Sequence, residues 1–252
     1  MGDVRVEIAD QVLLITLDRP GKKNAITDAM YGEIAAAFQR AADDETVRVV
    51  VLAGEGPDFC AGNDISMFAD SAAGKQDIAA SNLGAFLGAI STFPKPLVAM
   101  VSGRAIGVGV TMLLHCDLVY VASDAQLILP FVDLGLVPEA GSAWLLPQRI
   151  GHARAFALMA LGERLSGTEA AALGLANRAL PAADLASVAL AAARTLANKP
   201  PSALAATKKL MRDSAAIEAA MVADRGAFLT QLATPEAAAA FAAFAARKSP
   251  AA

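Results

Sequence analysis

Cysteine, histidine and aromatic side chains are all scarce in this 252-residue chain, and each scarcity removes a class of reading. Cys60 and Cys116 are the only cysteines, so no disulfide framework is implied and a reducing, cytoplasmic setting is expected. The two histidines, His115 and His152, are too few and too separated to point to a metal site, and no metal is expected. No run of about 18 uninterrupted apolar residues occurs, so no membrane-spanning helix is expected. Asp3, Arg5 and Glu7 interrupt the first apolar positions, which argues against a secretory leader. Basic residues do not exceed acidic ones: the formal charge is −4, giving no global attraction to nucleic acid or an anionic membrane. No repeat at a solenoid-like period is present.

What the chain does have is apolar mass. At 56% hydrophobic content it can bury one large core. Val4 to Ala9 and Gln11 to Leu17 read as two short paired strands, and 47–53 (VRVVVLA) as a strand buried on both faces. Thr27 should cap a helix reaching about Ala42, with Met30, Ile34 and Phe38 on its inner face. A further helix is expected over about Ile78 to Thr92, then strands at 97–101, 118–122 and 126–129. Between 70 and 76 the small polar residues predict a mobile surface segment. The alternation makes the fold class α/β. Beyond about Leu145 the patterns are almost all helical. The Pro200-Pro201 break divides a core, residues 1–198, from a C-terminal helical region, 199–252.

Two loops carry the chemistry. In 102–117 (SGRAIGVGVTMLLHCD), Gly107 and Gly109 interrupt an apolar run just before a short helical pattern. Such a turn lets a ligand approach a helix N-terminus, where unpaired amides favour negative charge. One amide from here and one from 60–68 (CAGNDISMF), aimed at one point, would form an oxyanion hole.

The motifs NAIT (24–27), CAGNDI (60–65), GRAIGVGVTMLLHCDLVYV (103–121), FVDLGLVPEAGSAWLLPQRIG (131–151) and SGTEAAALGLAN (166–177) occur in the order of the crotonase superfamily, which the chain resembles across about 15 to 248. The resemblance implies a spiral of ββα units, a C-terminal helical region mediating homotrimers or hexamers, and an acyl-CoA thioester substrate, with coenzyme A present only as part of that substrate. It assigns the oxyanion-hole amides to Asn63 and Val108. It places Lys22 and Lys23 near the CoA adenine and phosphates, with Ala25, Ala61 and Ile65 at backbone or apolar contacts to pantetheine and adenine. Phe244 and Lys248 resemble residues that reach a bound CoA. Gly62, Asp64, Gly107 and Phe131 complete the substrate-binding set.

Departures from the family pattern narrow the chemistry. The two glutamates with which the family's hydratases position water and deliver a proton fall here on Thr111 and Phe131. Neither side chain exchanges protons near neutral pH, so two-glutamate hydration is disfavoured. Glu139, in the Pro138-Glu139 setting, matches the base of the peroxisomal-type Δ3,Δ2-enoyl-CoA isomerases, and a double-bond shift needs only one acid/base group. Apolar neighbours such as Phe131 and Leu136 are expected to raise its pKa. Dehalogenase-like or ring-isomerase chemistry and a catalytically silent acyl-CoA-binding protein are the rivals. Asp64, Asp117 and Asp133 read as structural braces, His115 as a satisfied buried histidine, and Cys60 as no nucleophile.

Overall fold

The computed structural model describes residues 2–64, 67 and 78–248, without the side chains of 79 and 244–248. The expected mobile segment at 70–76 and the assigned contact at Ile65 lie outside the described residues, as do the side chains of Phe244 and Lys248.

The chain opens with the hairpin foreseen in its alternating start. Strands β1 (Val4–Ala9) and β2 (Val12–Leu17) pair antiparallel with Val4 opposite Leu17. They reverse at Asp10 and Gln11, both at positive φ, the backbone twist that a two-residue hairpin needs. Thr27 then caps α1 (Asp28–Asp43), its side chain accepting the Met30 amide at 3.3 Å. Met30, Ile34 and Phe38 are buried, as their spacing requires, and Tyr31, Ala37 and Ala41 widen that face. Strand β3 (Val49–Gly54) is buried over its first five residues, the signature of a parallel strand covered on both sides. A helix begins at Asn82 rather than Ile78: a 3-10 turn at Ile78–Ala80 precedes it, and Ser81 separates the two. This α2 (Asn82–Thr92) packs on α1 through Tyr31 against Phe86, and Phe93, just past its end, packs against Phe38, both pairs at 5.1 Å between centroids.

Strands β4 (Leu97–Val101), β5 (Arg104–Ile106), β6 (Leu118–Ala122), β7 (Gln126–Ile128), β8 (Arg164–Ser166) and β9 (Arg178–Leu180) complete two sheets. One has six strands in the order β1-β2-β3-β4-β6-β9, and the other has three, β5-β7-β8. Three-residue strands such as β5, β8 and β9 are too short to show a period, so the sequence pattern missed them. Helices follow: α3 (Val108–Thr111), α4 (Ser142–Ile150), α5 (His152–Ala160), α6 (Gly167–Ala172), α7 (Ala182–Ala197), α8 (Pro201–Leu210), α9 (Ser214–Leu232) and α10 (Pro235–Lys248). Helix α7 covers the large sheet with Leu185, Ala189, Ala193 and Ala197, whose small side chains bring helix and strands close together.

Repeated strand, strand, helix order gives the ββα spiral, with helices gathered toward the C-terminus. Parallel strands β3 and β4 both end at the same side, and the segments that follow them, 55–64 and 102–111, come together there, bridged at Cys60 and Ala105. Ligands in open α/β sheets bind beyond such carboxyl ends. No described helix is long and apolar enough to cross a membrane.

Candidate active site

A short parallel bridge joins the two glycine-containing segments. Cys60 donates its amide to the Arg104 carbonyl, and Ile106 donates to the Cys60 carbonyl, each at 2.9 Å. Gly109 makes the approach sterically feasible, since a Cβ there would sit 2.8 Å from the Cys60 carbonyl oxygen. Gly107 has φ 55° and ψ −117°, a conformation that L side chains rarely adopt, and it turns the chain from β5 into α3. Val108 is therefore the first helical residue, whose amide has no carbonyl one turn back to bond.

On the other segment, Ile26 donates to the Gly62 carbonyl and accepts from the Asp64 amide, both at 2.8 Å. A residue pairing in this way takes both bonds from the neighbours of Asn63, leaving the Asn63 N–H directed away from Ile26. Neither the Asn63 nor the Val108 amide donates a hydrogen bond to any described residue. Asn63 is anchored by its side chain, which accepts from the Tyr31 hydroxyl. Tyr31 went unread as a partner because it lies 32 residues before Asn63 in the chain.

One helical turn beyond Val108, the fully buried Thr111 donates through Oγ1 to Glu139 Oε1 at 2.7 Å. Glu139 is only 4% exposed, and its Oε2 has no hydrogen-bond partner among the described residues. Desolvation pushes its pKa up to about 7; the Thr111 bond opposes that shift, and the nearby Asp224 charge adds to it. Glu139 lies on the wall of a cavity of about 380 Å³ between α2 and α9, lined largely by apolar groups including Leu83, Leu87, Ile217, Met221 and Phe228. Thr111, on the turn that starts at Val108, ties the acid to the oxyanion segment, and the Glu139 charge helps raise both the Tyr31 hydroxyl and the Cys60 thiol. An acid half-shifted toward neutrality, next to two free amides, is equipped to move protons next to a carbonyl.

A family model described as enoyl-CoA hydratase/isomerase matches residues 7–251. The chain belongs to the enoyl-CoA hydratase/isomerase family. Its crotonase relatives differ in what they are named for. Enoyl-CoA delta isomerase 2 of Rattus norvegicus is 37% identical over 203 residues, 79% of this chain and 51% of that protein. A probable enoyl-CoA hydratase of Rhodobacter capsulatus is also 37% identical, over 82% of this chain and 79% of its own length. The present chain thus spans about half the length of the rat isomerase. Among solved structures, an enoyl-CoA hydratase/isomerase of Pseudoalteromonas atlantica superposes with a TM-score of 0.92 at 36% identity, covering the whole of both chains.

Within this crotonase frame the remaining assigned positions divide into two groups. Ala61, Gly62 and Asn63 run beside the turn that bears Lys22 and Lys23: Ala61 donates to the Lys23 carbonyl at 2.9 Å, and Ala25 donates to that of Lys22 at 3.1 Å. Both lysines are exposed, and neither ammonium bonds a described residue. Asp64 is a brace, paired with Arg19, whose guanidinium also holds the Ala25 carbonyl. Buried Asn24 ties the turn together from within, donating to the Glu55 and Asp58 carbonyls; it belonged to the NAIT motif but went unread as a brace. Phe131 is buried beside the loop that leads to Glu139, its carbonyl accepting from Leu136, and it is not on the cavity wall.

Other acids and thiols settle as braces. Asp117 accepts from the Leu97 amide and Lys208 Nζ, at 2.8 and 2.7 Å. Asp133 lies against Gly162. Cys60 and Cys116 are free and buried, and burial pushes both thiols up to about 12, so neither is a nucleophile at neutral pH. Asp224 of α9 was missed altogether. It is 9% exposed, with Oδ2 unpartnered among the described residues, and burial raises its pKa to about 6. The first amides of α4, on Gly141, Ser142 and Ala143, pull the other way.

Proposed function

We propose that this chain is a Δ3,Δ2-enoyl-CoA isomerase in which Glu139 is the single acid/base group. In the proposed reaction, Glu139 carboxylate removes a proton from C2 of a 3-enoyl thioester. The C–H electron pair moves into a dienolate, whose thioester oxygen accepts hydrogen bonds from the Asn63 and Val108 amides. Glu139 then returns the same proton to C4, and the double bond reforms between C2 and C3. Nothing is oxidised or added, so the step needs no cofactor beyond the CoA carried by the substrate. Lys22 and Lys23 meet the CoA phosphates, and the apolar cavity takes the acyl chain.

The observation that carries this reading is the state of Glu139: a buried carboxyl with one unpartnered oxygen on a cavity wall, poised near neutral pH. A general base works best with its pKa near the operating pH. Thr111, at one family glutamate position, is engaged in hydrogen-bonding this acid, and Phe131, at the other, has no titrating group. Among the described cavity-lining residues Phe228 is the lone aromatic, which favours aliphatic chains over the aryl substrates of dehalogenase-type relatives.

The test is a side-by-side assay with a 3-enoyl-CoA and a 2-enoyl-CoA, following double-bond position by ultraviolet absorbance and water addition by mass. Conversion of the 3-enoyl to the 2-enoyl ester without a hydrated product is expected. Rapid hydration would overturn the assignment, and tight binding without either reaction would point to the silent acyl-CoA-binding rival.

A further inference from the structure

The segment that starts with the Val108 amide continues past Thr111 as a 3-10 turn, Met112–His115, and His115 ends it fully buried. His115 Nε2 lies 2.8 Å from the carbonyl oxygen of Ala140, the residue immediately after Glu139. A carbonyl only accepts, so Nε2 must carry the proton. On the opposite side of the ring, Arg212 Nη2 lies 3.4 Å from Nδ1, and Arg212 Nη1 donates to the His115 carbonyl at 3.0 Å. A guanidinium only donates, so Nδ1 must accept. Both partners therefore demand the same neutral tautomer. Burial, with Arg212, Arg149 and Lys208 nearby, holds the ring neutral by lowering its pKa to about 4.

What this bond restrains is a strained piece of backbone. Ala140 has φ 63° and Gly141 φ 68°, two successive left-handed residues, the first of which has a side chain. That conformation is costly for an alanine and persists only where its surroundings hold it. The Ser142 amide and hydroxyl hold the Glu139 carbonyl, Thr111 holds the Glu139 carboxyl, and His115 holds the Ala140 carbonyl.

We propose that His115, locked in its Nε2–H tautomer by Arg212, is a positioning residue for Glu139, holding the left-handed Ala140 so that the carboxyl is aimed into the cavity. Arg212 lies between α8 and α9, so the C-terminal helical region sets the aim of the acid through a single relay, Arg212 to His115 to Ala140. The role rests on Glu139 being the base.

The tautomer is read directly by long-range 15N–1H correlation on the intact protein at pH 7, where Nε2–H is expected. An Nδ1–H or doubly protonated ring would overturn the proposal. His115→Leu removes the donor, and displacing a reacting group by about 1 Å can cost 10²-fold. Its kcat is therefore expected to fall between roughly 10- and 100-fold with KM for the CoA ester little changed, and His115→Gln, which restores an N–H donor, to recover most of the loss. A His115→Leu protein with wild-type kcat would overturn the positioning role. Should that variant fail to fold, Arg212→Met serves instead: the tautomer ratio is expected to shift and kcat to fall together, and an unchanged ratio or kcat would count against the relay. Glu139→Gln is assayed alongside. Full turnover there would mean that Glu139 is not the base, whereas an inactive Glu139→Gln beside an unimpaired His115→Leu would sink this inference alone.

Discussion

At the scale of single residues the site comes down to what surrounds one carboxyl. Glu139→Gln keeps the shape and loses the proton carrier, so kcat should fall roughly 10²–10⁴-fold while CoA-ester binding measured by calorimetry stays close to wild type. Unchanged turnover would remove Glu139 from the mechanism. Only the ionised form accepts a proton, so kcat should rise with pH through about 7 in the native enzyme. Thr111 opposes the upward shift of Glu139 by hydrogen-bonding the charged form. Thr111→Val is nearly isosteric and removes that bond, so the rising limb of the pH–rate profile should move to higher pH; a limb that stays in place, or moves down, contradicts the assignment. Glu139 itself was readable from its Pro-Glu setting. Thr111 was read only as a missing glutamate, because a positional comparison says what a residue is not and nothing about its new partner.

At the scale of elements the cavity is the product of two helices that lie far apart in sequence. Leu83, Gly84, Leu87 and Gly88 of α2 face Ile217, Met221 and Phe228 of α9 across it. A Cβ added at Gly84 or Gly88 meets no protein atom within 4 Å, so a larger side chain there enters the cavity with no backbone clash. Gly88→Leu is therefore expected to lower kcat/KM for long acyl chains at least tenfold while sparing short ones, each buried methylene of substrate being worth about 0.8 kcal/mol. Equal losses across a chain-length series would mean that the acyl group lies elsewhere. Helix α1, the β1–β2 hairpin and β3 were all foreseen because apolar period and cap residues are local features. The pairing of α2 with α9 was not, because it depends on which distant segments meet.

The whole molecule carries a cost for its buried acids. Glu139 titrates near 7 against an ordinary 4.5, and Asp224 near 6 against 3.8, so the folded state binds more protons than the unfolded chain between those values. Stability should then fall as pH rises from about 4.5 to 7, by on the order of 3 kcal/mol for Glu139 alone. Urea melts at pH 5 and pH 8 should show the fall in the native protein and a smaller one in Glu139→Gln; equal falls in both would place the effect elsewhere. Exposed Phe156, Leu161, Leu210 and Met211, each more than half accessible, leave a single chain with apolar surface to cover. We expect a trimer or a dimer of trimers, giving three or six times 25.7 kDa by light scattering; a monomer at micromolar concentration would refute that.

The α/β class follows from the residues alone, and the glycine-containing loops and Glu139 stand out from the sequence once the family resemblance is added. Glycine spacing, caps and apolar period act over a few positions, so their meaning survives without a structure. Tertiary packing decided the rest. The proton affinity of Glu139 depends on desolvation and on Thr111 and Asp224, which lie 28 residues before it and in a helix near the C-terminus. His115 became a brace for the acid only once Arg212 and Ala140 were seen on opposite sides of its ring. Burial and the direction of a hydrogen bond are properties of neighbours in space, and a linear pattern of residue types does not say which neighbours those are.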